Sequence, residues 1–435
     1  MKKKNALIIG GGFAGCASAH QLELLGGWDV TLIEKSNFLG AGNKTRWYGG
    51  HPYTFGPRHF LTPYEDVFNY INEIIPLRLC PEHEFLTYVE RDNEFYAYPI
   101  NMQDVRKMPD FDEIDNELTA IKNSGYAGVK NAKDLEEYWL ASVGKTLYSK
   151  MIDKYNKKMW LVDDNKKIDT FNWSPKGVAL KDGPKRAWDK SISGYPYSLD
   201  GYDKYFPFAT KEARVLLDTT CKVSNIDKKE VIINNEKKSF DIIISTIGPD
   251  VLLNEEYGPL EYIGRELKLI VFPTEHVFPE NVYFLYYANE EPFTRLVEYK
   301  KFTHHNSKTS LIGMEIPTLN GGYDYPVPFK KQQILARKYF DLMPEGVYSI
   351  GRAGSYLYGI DIDDCIRQTM IISEELELIN GFEAYKLIIE RDGTNEIWFS
   401  KTLREPDFVI KIKNEISEFQ NSWADMSIDL TEYGI

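Results

Sequence analysis

Apolar positions fall into a few periodic runs along the chain. Residues 5–9 form a short apolar stretch, residues 14–25 repeat at helical spacing, and residues 28–34 (WDVTLIE) read as a second strand ending on Glu34. Residues 213–250 read as short strands with turns and close on a buried β run at 242–245. Residues 346–376 read as strand, loop and then helix from about residue 363. In VGKTLYSKMIDKYNKKMW, residues 143–160, Val143, Leu147, Tyr148, Met151, Ile152, Tyr155 and Met159 make one stripe. Lys145, Lys150, Lys154, Lys157 and Lys158 lie off it. This pattern predicts an amphipathic helix closing on Trp160. Periodicity alone favours core packing for its aromatic edge over stacking on a ligand.

Between the first strand and its helix stands Gly10-x-Gly12-x-x-Gly15. The first glycine permits the tight turn, the second lets backbone approach a pyrophosphate, and the third lets helix and strand pack closely. The pyrophosphate would rest on the helix N-terminus, where free N–H groups and the dipole favour negative charge. Glu34 follows Gly15 by 19 residues, the spacing of a carboxylate on a ribose hydroxyl. The unit predicts a dinucleotide without separating FAD from NAD. A closing strand–loop–helix near residue 350 suits a flavoprotein with inserted substrate domains.

Composition narrows the class. A chain of 435 residues, 43% of them hydrophobic, has room for two or three cored domains. The net charge of −13 favours solubility and argues against sequence-independent nucleic-acid binding. Cys16, Cys80, Cys221 and Cys365 are far apart, which predicts isolated thiols in a reducing, cytoplasmic setting and no metal framework. The basic, apolar N-terminus imitates a signal peptide, but its glycines fit a nucleotide loop better. No apolar run is long enough to predict a membrane span.

Further segments carry a resemblance. KSNFLGAGNKT, WYGGHPYTFGPRHFLT, YAYPINMQDV, the 143–160 helix, STIGPD, GPLEYIGRELKL, PFTRLVEYKKF, GGYDYPVP and GRAGSYLYGIDID occur in this order. Together they resemble the UDP-galactopyranose mutase family from about residue 5 to about residue 375. The resemblance implies non-covalent FAD, active when reduced by an external reductant, and a redox-neutral isomerisation of a nucleotide-diphosphate sugar, UDP-galactopyranose by default or a related one, between pyranose and furanose forms for surface glycan synthesis. Reduced flavin N5 would attack the anomeric carbon and expel the nucleoside diphosphate.

It also implies residue roles. Gly10, Gly12, Phe13, Ala14, Gly15, Glu34, Lys35, Gly42, Asn43, Gly56, Pro57, Val223, Arg352, Asp361 and Ile362 would hold the cofactor. Arg295, Tyr358, Arg352 and Arg58 would be catalytic. Tyr155, Trp160, Arg186, Arg295, Tyr325, Tyr358 and Asn101 would hold substrate. A leaving diphosphate needs a fixed cation, and Arg295 offers bidentate donors; a salt bridge to Glu298 is its plainer reading. Arg58 stands where the family has histidine, with His59 next, and faces either flavin or solvent. The chain carries one extra residue between Tyr358 and Asp361. The family's lid arginine is absent, Arg186 being the nearest, so the nucleotide sugar is open.

The expected architecture is α/β. A discontinuous Rossmann-like FAD domain (1–79, 206–262, 342–380) would carry a helical domain (80–167). A mostly antiparallel sheet domain (168–205, 263–341) would bear a mobile lid near 174–195, and an extension would follow at 381–435. The expected partners are the nucleotide sugar, the reductant and a second copy in a homodimer. The rival readings are an FAD-dependent oxidase or desaturase of the amine-oxidase type and a non-catalytic flavin scaffold.

Overall fold

The computed structural model describes residues 3–169, 180–189, 191–322 and 324–378, and a hairpin of Lys386–Arg391 with Asn395–Ser400. The expected lid lies partly, and the expected C-terminal extension mostly, outside the described residues.

Five parallel strands form the nucleotide-binding sheet, in the order Arg214–Leu216, Trp28–Ile33, Lys4–Ile9, Ile242–Ser245, Val347–Ser349. They come from three distant chain pieces. The central strands are apolar on both faces because both faces are covered. Ala6 and Ile8, registered with Ile242 and Ile244, join the core that contains Phe13, Ala17 and Ile366. Leu7, Ile9 and Ile243 point the other way, toward Leu252, Tyr339 and Phe340. The helices Phe13–Leu25 and Ile362–Leu378 pack side by side on the first face.

A second sheet has seven strands, in the order Tyr325–Pro326, Tyr262–Phe272, Ser310–Thr318, Arg295–Glu298, Val282–Tyr287, Glu84–Val89, Glu94–Tyr98. Its pairings are antiparallel except that of Val282–Tyr287 with Glu84–Val89. This corrects the expected start of the helical domain at residue 80. Residues 84–89 alternate half-buried and buried, a period of two, and extend the sheet before the helices begin. Residues 192–196 do not join that sheet either: Ile192–Pro196 pairs with Phe60–Thr62 and Leu77–Leu79.

The stripe of the 143–160 segment is buried throughout, but the helix is not continuous. Gly144 breaks it at φ +82°, and a wider π-type turn, Tyr148–Ile152, precedes Asp153–Trp160. Lys150 departs from the pattern: it is buried, with Nζ 2.6 Å from Asp92 Oδ2 and also paired with Asp110. The segment packs on the second sheet through Tyr155, Met159 and Trp160, in one core with Phe284 and Tyr286.

Candidate active site

A cleft of about 400 Å³ opens where the C-terminal ends of the parallel strands meet the second sheet. Gly12 to Ala14 follow Lys4–Ile9, the third strand in sheet order, Thr246 follows the fourth, and Gly351 and Arg352 the fifth. This edge is where open α/β sheets bind ligands.

The fingerprint is built for a close approach. Gly10 adopts φ +102°, and any side chain there would strike Thr246. A Cβ on Gly15 would strike the Gly10 carbonyl. The helix Phe13–Leu25 has no side-chain cap and no acid in its first turn, so its N-terminus is open to an anion. Glu34 closes the loop from behind: Oε2 accepts Gly11 N–H at 2.7 Å and Oε1 accepts Ser36 N–H at 2.8 Å. Each oxygen retains a lone pair, yet Glu34 does not line the cleft.

The opposite wall carries cations. Strand register sets Arg295 between Tyr286 on one side and Glu315 on the other. Its Nε lies 2.9 Å from Glu315 Oε2. The plainer reading named the wrong partner, because Glu298 instead accepts the backbone N–H groups of Val277 and Phe278 and the Ser310 hydroxyl. Arg352 pairs with Asp361 at 2.6 Å and donates Nε to the Ile360 carbonyl. The guanidiniums of Arg265 and Arg352 face the Tyr325 ring at 4.6 and 5.2 Å, and Tyr358 meets that ring at 5.3 Å. Burial works against ionising Tyr325, yet Arg295, Arg265 and Arg58 together hold its phenol below the ordinary tyrosine value. Burial instead pushes Tyr358 up.

Arg58 faces the cleft, which answers the solvent alternative. Its Nε donates to the Phe55 carbonyl, and its guanidinium would lie 2.9 Å from a Cβ on Gly42. Of the expected residues, Gly12, Phe13, Ala14, Gly42, Asn43, Pro57, Arg58, Arg295, Tyr325, Arg352, Tyr358, Asp361 and Ile362 line one cleft. Gly56 leans on the Arg295–Glu315 pair from an adjacent small cavity.

Others lie elsewhere. Trp160 is fully buried and meets Tyr358 from behind. Tyr155 lines a separate small cavity with Thr87, Tyr98 and Asn156. Asn101 is a helix cap, Oδ1 accepting Gln103 N–H and Nδ2 reaching the Gly183 carbonyl. The guanidinium of Arg186 is turned to Asp189, 2.8 Å away, which also takes Lys181. Val223 is a core residue under a hairpin, and Lys35 is exposed.

The sequence reading missed Asp324, Trp188, Phe284 and Tyr286, which also line the cleft, and Arg265 against Tyr325. Arg265 and Asp324 lay inside quoted segments, but only strand pairing brings them together: Arg265 N–H donates to Asp324 Oδ2 at 2.8 Å.

The residues fit a flavin dinucleotide. The helix N-terminus is open to a pyrophosphate, small residues (Gly12, Ala14, Ala41, Gly42) leave a path along the cleft, and Asn43 Oδ1 is buried with no hydrogen-bond partner among the described residues. A split dinucleotide fold with an arginine- and tyrosine-lined cleft over its phosphate turn defines a dinucleotide-binding protein whose cleft suits an anionic ligand.

Comparison with known proteins makes the class specific. Residues 150–358 match the UDP-galactopyranose mutase family model, and residues 8–74 match an NAD(P)-binding Rossmann-like domain. A Klebsiella pneumoniae protein named "Probable UDP-galactopyranose mutase" is 24% identical over 86% of this chain and 95% of its own. The Escherichia coli dTDP-fucopyranose mutase is also 24% identical, over 84% of this chain and 96% of its own. A crystal structure of reduced UDP-galactopyranose mutase superposes with a TM-score of 0.72 at 16% identity, covering 88% of this chain and 96% of that one. Cyclohexylamine oxidase from Brevibacterium oxydans shares the fold more loosely, with a TM-score of 0.57 at 15% identity over 86% of this chain and all of its own. The chain is thus similar to the UDP-galactopyranose mutase family through residues 150–358 and to two proteins named as mutases over most of its length; it is an isomerase-class flavoprotein with FAD as cofactor.

Proposed function

We propose that the protein interconverts the pyranose and furanose forms of a nucleoside-diphosphate sugar, with UDP-galactose and dTDP-fucose as the first candidates. The observation that carries this reading is the convergence of Arg295, Arg352, Tyr325 and Tyr358 on the cleft beside the glycine turn. Two guanidiniums, each fixed by a carboxylate, form a preorganised anion receptor. They would hold the diphosphate as it leaves the anomeric carbon and keep it near for return. Tyr358, whose phenol stays protonated, would donate a hydrogen bond to it. Phe85, Trp188, Phe284 and Tyr286 would exclude water, so that the sugar recloses and is not hydrolysed. When bound in its reduced form, FAD supplies the nucleophile for the anomeric carbon.

The two candidate sugars are weighted equally because both named relatives are equally similar. The oxidase reading is not favoured: the amine-oxidase likeness supports the shared fold alone. An external reductant and a homodimer belong to this reading. No described helix is long and apolar enough to cross a membrane. Product analysis of the reduced protein with pyranose nucleotide sugars tests the reading.

A further inference from the structure

Two carboxylates line the cleft among the described residues, and they differ. Asp361 is committed to Arg352 at 2.6 Å. Asp324 forms no ion pair there: Oδ2 accepts the Arg265 backbone N–H, and Oδ1 makes no hydrogen bond among the described residues. It stands between the Gly56–Arg58 turn and Tyr325, partly buried.

A bound diphosphate carries negative charge and must lie against the arginines and tyrosines. A carboxylate with a free oxygen is repelled by that group and suits the neutral, hydroxyl-bearing part of the ligand instead. On the mutase reading, which this inference requires, that part is the sugar. We propose that Asp324 is a catalytic residue that contacts the sugar and carries the proton exchanged between its ring oxygen and the hydroxyl that replaces it.

The proton count closes. As the bond between the anomeric carbon and the ring oxygen breaks, the bonding pair leaves with oxygen, the nucleophile that the bound cofactor would supply shares its own pair with the carbon, and the Asp324 carboxyl gives the oxygen its proton. As another hydroxyl supplies the pair that rebuilds the ring, the pair lent to the carbon returns to its donor and the carboxylate takes that hydroxyl's proton. One proton goes out and one returns, and no oxidant or reductant is consumed. Burial raises the Asp324 carboxyl above the ordinary aspartate value, and Glu315 adds to this. The Arg265 N–H and the charges of Arg58 and Arg265 oppose it. The acid therefore keeps its proton to a higher pH than a solvated aspartate.

The test compares wild type, Asp324→Asn and Asp324→Glu as FAD-loaded, reduced proteins. It reads FAD content, affinity for UDP and dTDP, and kcat against pH with UDP-galactopyranose and dTDP-fucopyranose. Asparagine keeps the shape and the Arg265 contact but moves no proton. The expected result is normal FAD content and nucleotide affinity, a kcat lower by about 100-fold or more with a flattened pH profile, and partial recovery in Asp324→Glu. An Asp324→Asn protein with kcat near wild type overturns the proposal. So does a fall in kcat matched by equal losses of FAD and nucleotide, which marks a structural role. A wild type that turns over no nucleotide sugar sinks the mutase reading and this proposal with it. An active wild type beside an equally active variant sinks this proposal alone.

Discussion

Trp160 meets Tyr358 edge-on, with ring centres 4.8 Å apart and planes at 85°. The end of the 143–160 segment therefore does not wall the cleft. It backs the tyrosine that does. Removing the indole should cost about 3–5 kcal/mol of stability, as for other buried tryptophans, and loosen Tyr358. Trp160→Phe should cost less, because a ring remains against Tyr358. Denaturant midpoints of the two variants, with UDP affinity alongside, check this. Equal stability of Trp160→Ala and wild type would be inconsistent with a fully buried indole.

Arg295, part-buried, and Glu315, buried, form a pair beside the Gly56 turn. Arg295→Ala leaves Glu315 with only the more distant Arg265, Nε 3.9 Å from Oε2, whereas Arg295→Lys keeps a charge but loses the bidentate fork. Turnover should fall by about 10² to 10³ in the alanine variant and less in the lysine variant, with UDP affinity falling in the same order. Unchanged turnover in Arg295→Ala would remove this residue from the site.

Tyr325 should ionise below the usual tyrosine range, because three arginines favour its phenolate. The folded state then sheds this proton at lower pH than the unfolded chain. Its contribution to stability therefore grows as pH rises from the lowered value toward 10. A near-ultraviolet titration of the folded protein should show one early phenolate, absent in Tyr325→Phe. Bound UDP should suppress it, since the diphosphate brings negative charge beside the phenol and shares Arg295 with it. An identical titration in Tyr325→Phe contradicts this.

His83 sits fully buried among His59, Phe85, Tyr283, Phe284 and Phe302, and neither ring nitrogen has a hydrogen-bond partner among the described residues. Burial, helped by His59, holds its pKa well below 6.5. The folded state refuses a proton that the unfolded chain accepts. Stability is therefore full above about 6.5 and falls below it, by up to about 1.4 kcal/mol per pH unit for this group. Acid unfolding of His83→Phe should be less steep between pH 5 and 6.5 than that of wild type.

The nucleotide fold was legible in the sequence because its signals are local. The glycine spacing, the 242–245 run and the restart near residue 350 each report a backbone requirement within a few residues. The cleft was legible only where a motif stood in for geometry, as with Arg295, Arg352 and Tyr358. Asp324, Arg265 and Trp188 come from separated segments, and only strand register brings the first two together. Arg186 misled because charge in a loop says nothing of direction, and Asp189 claims it. Residues 84–98 misled because two short strands, only the first of them alternating in burial, were absorbed into the helical domain that follows.

The central claim is isomerisation without net redox change. The most direct measurement is chromatography and mass analysis of products from dithionite-reduced protein incubated with UDP-galactopyranose, dTDP-fucopyranose and other pyranose nucleotide sugars, beside an air-oxidised control. The account predicts a new peak of unchanged mass from at least one sugar, in the reduced sample only. No isomer from any sugar, together with flavin reduction when a substrate is added to the oxidised protein, would contradict it and return the case to an oxidase.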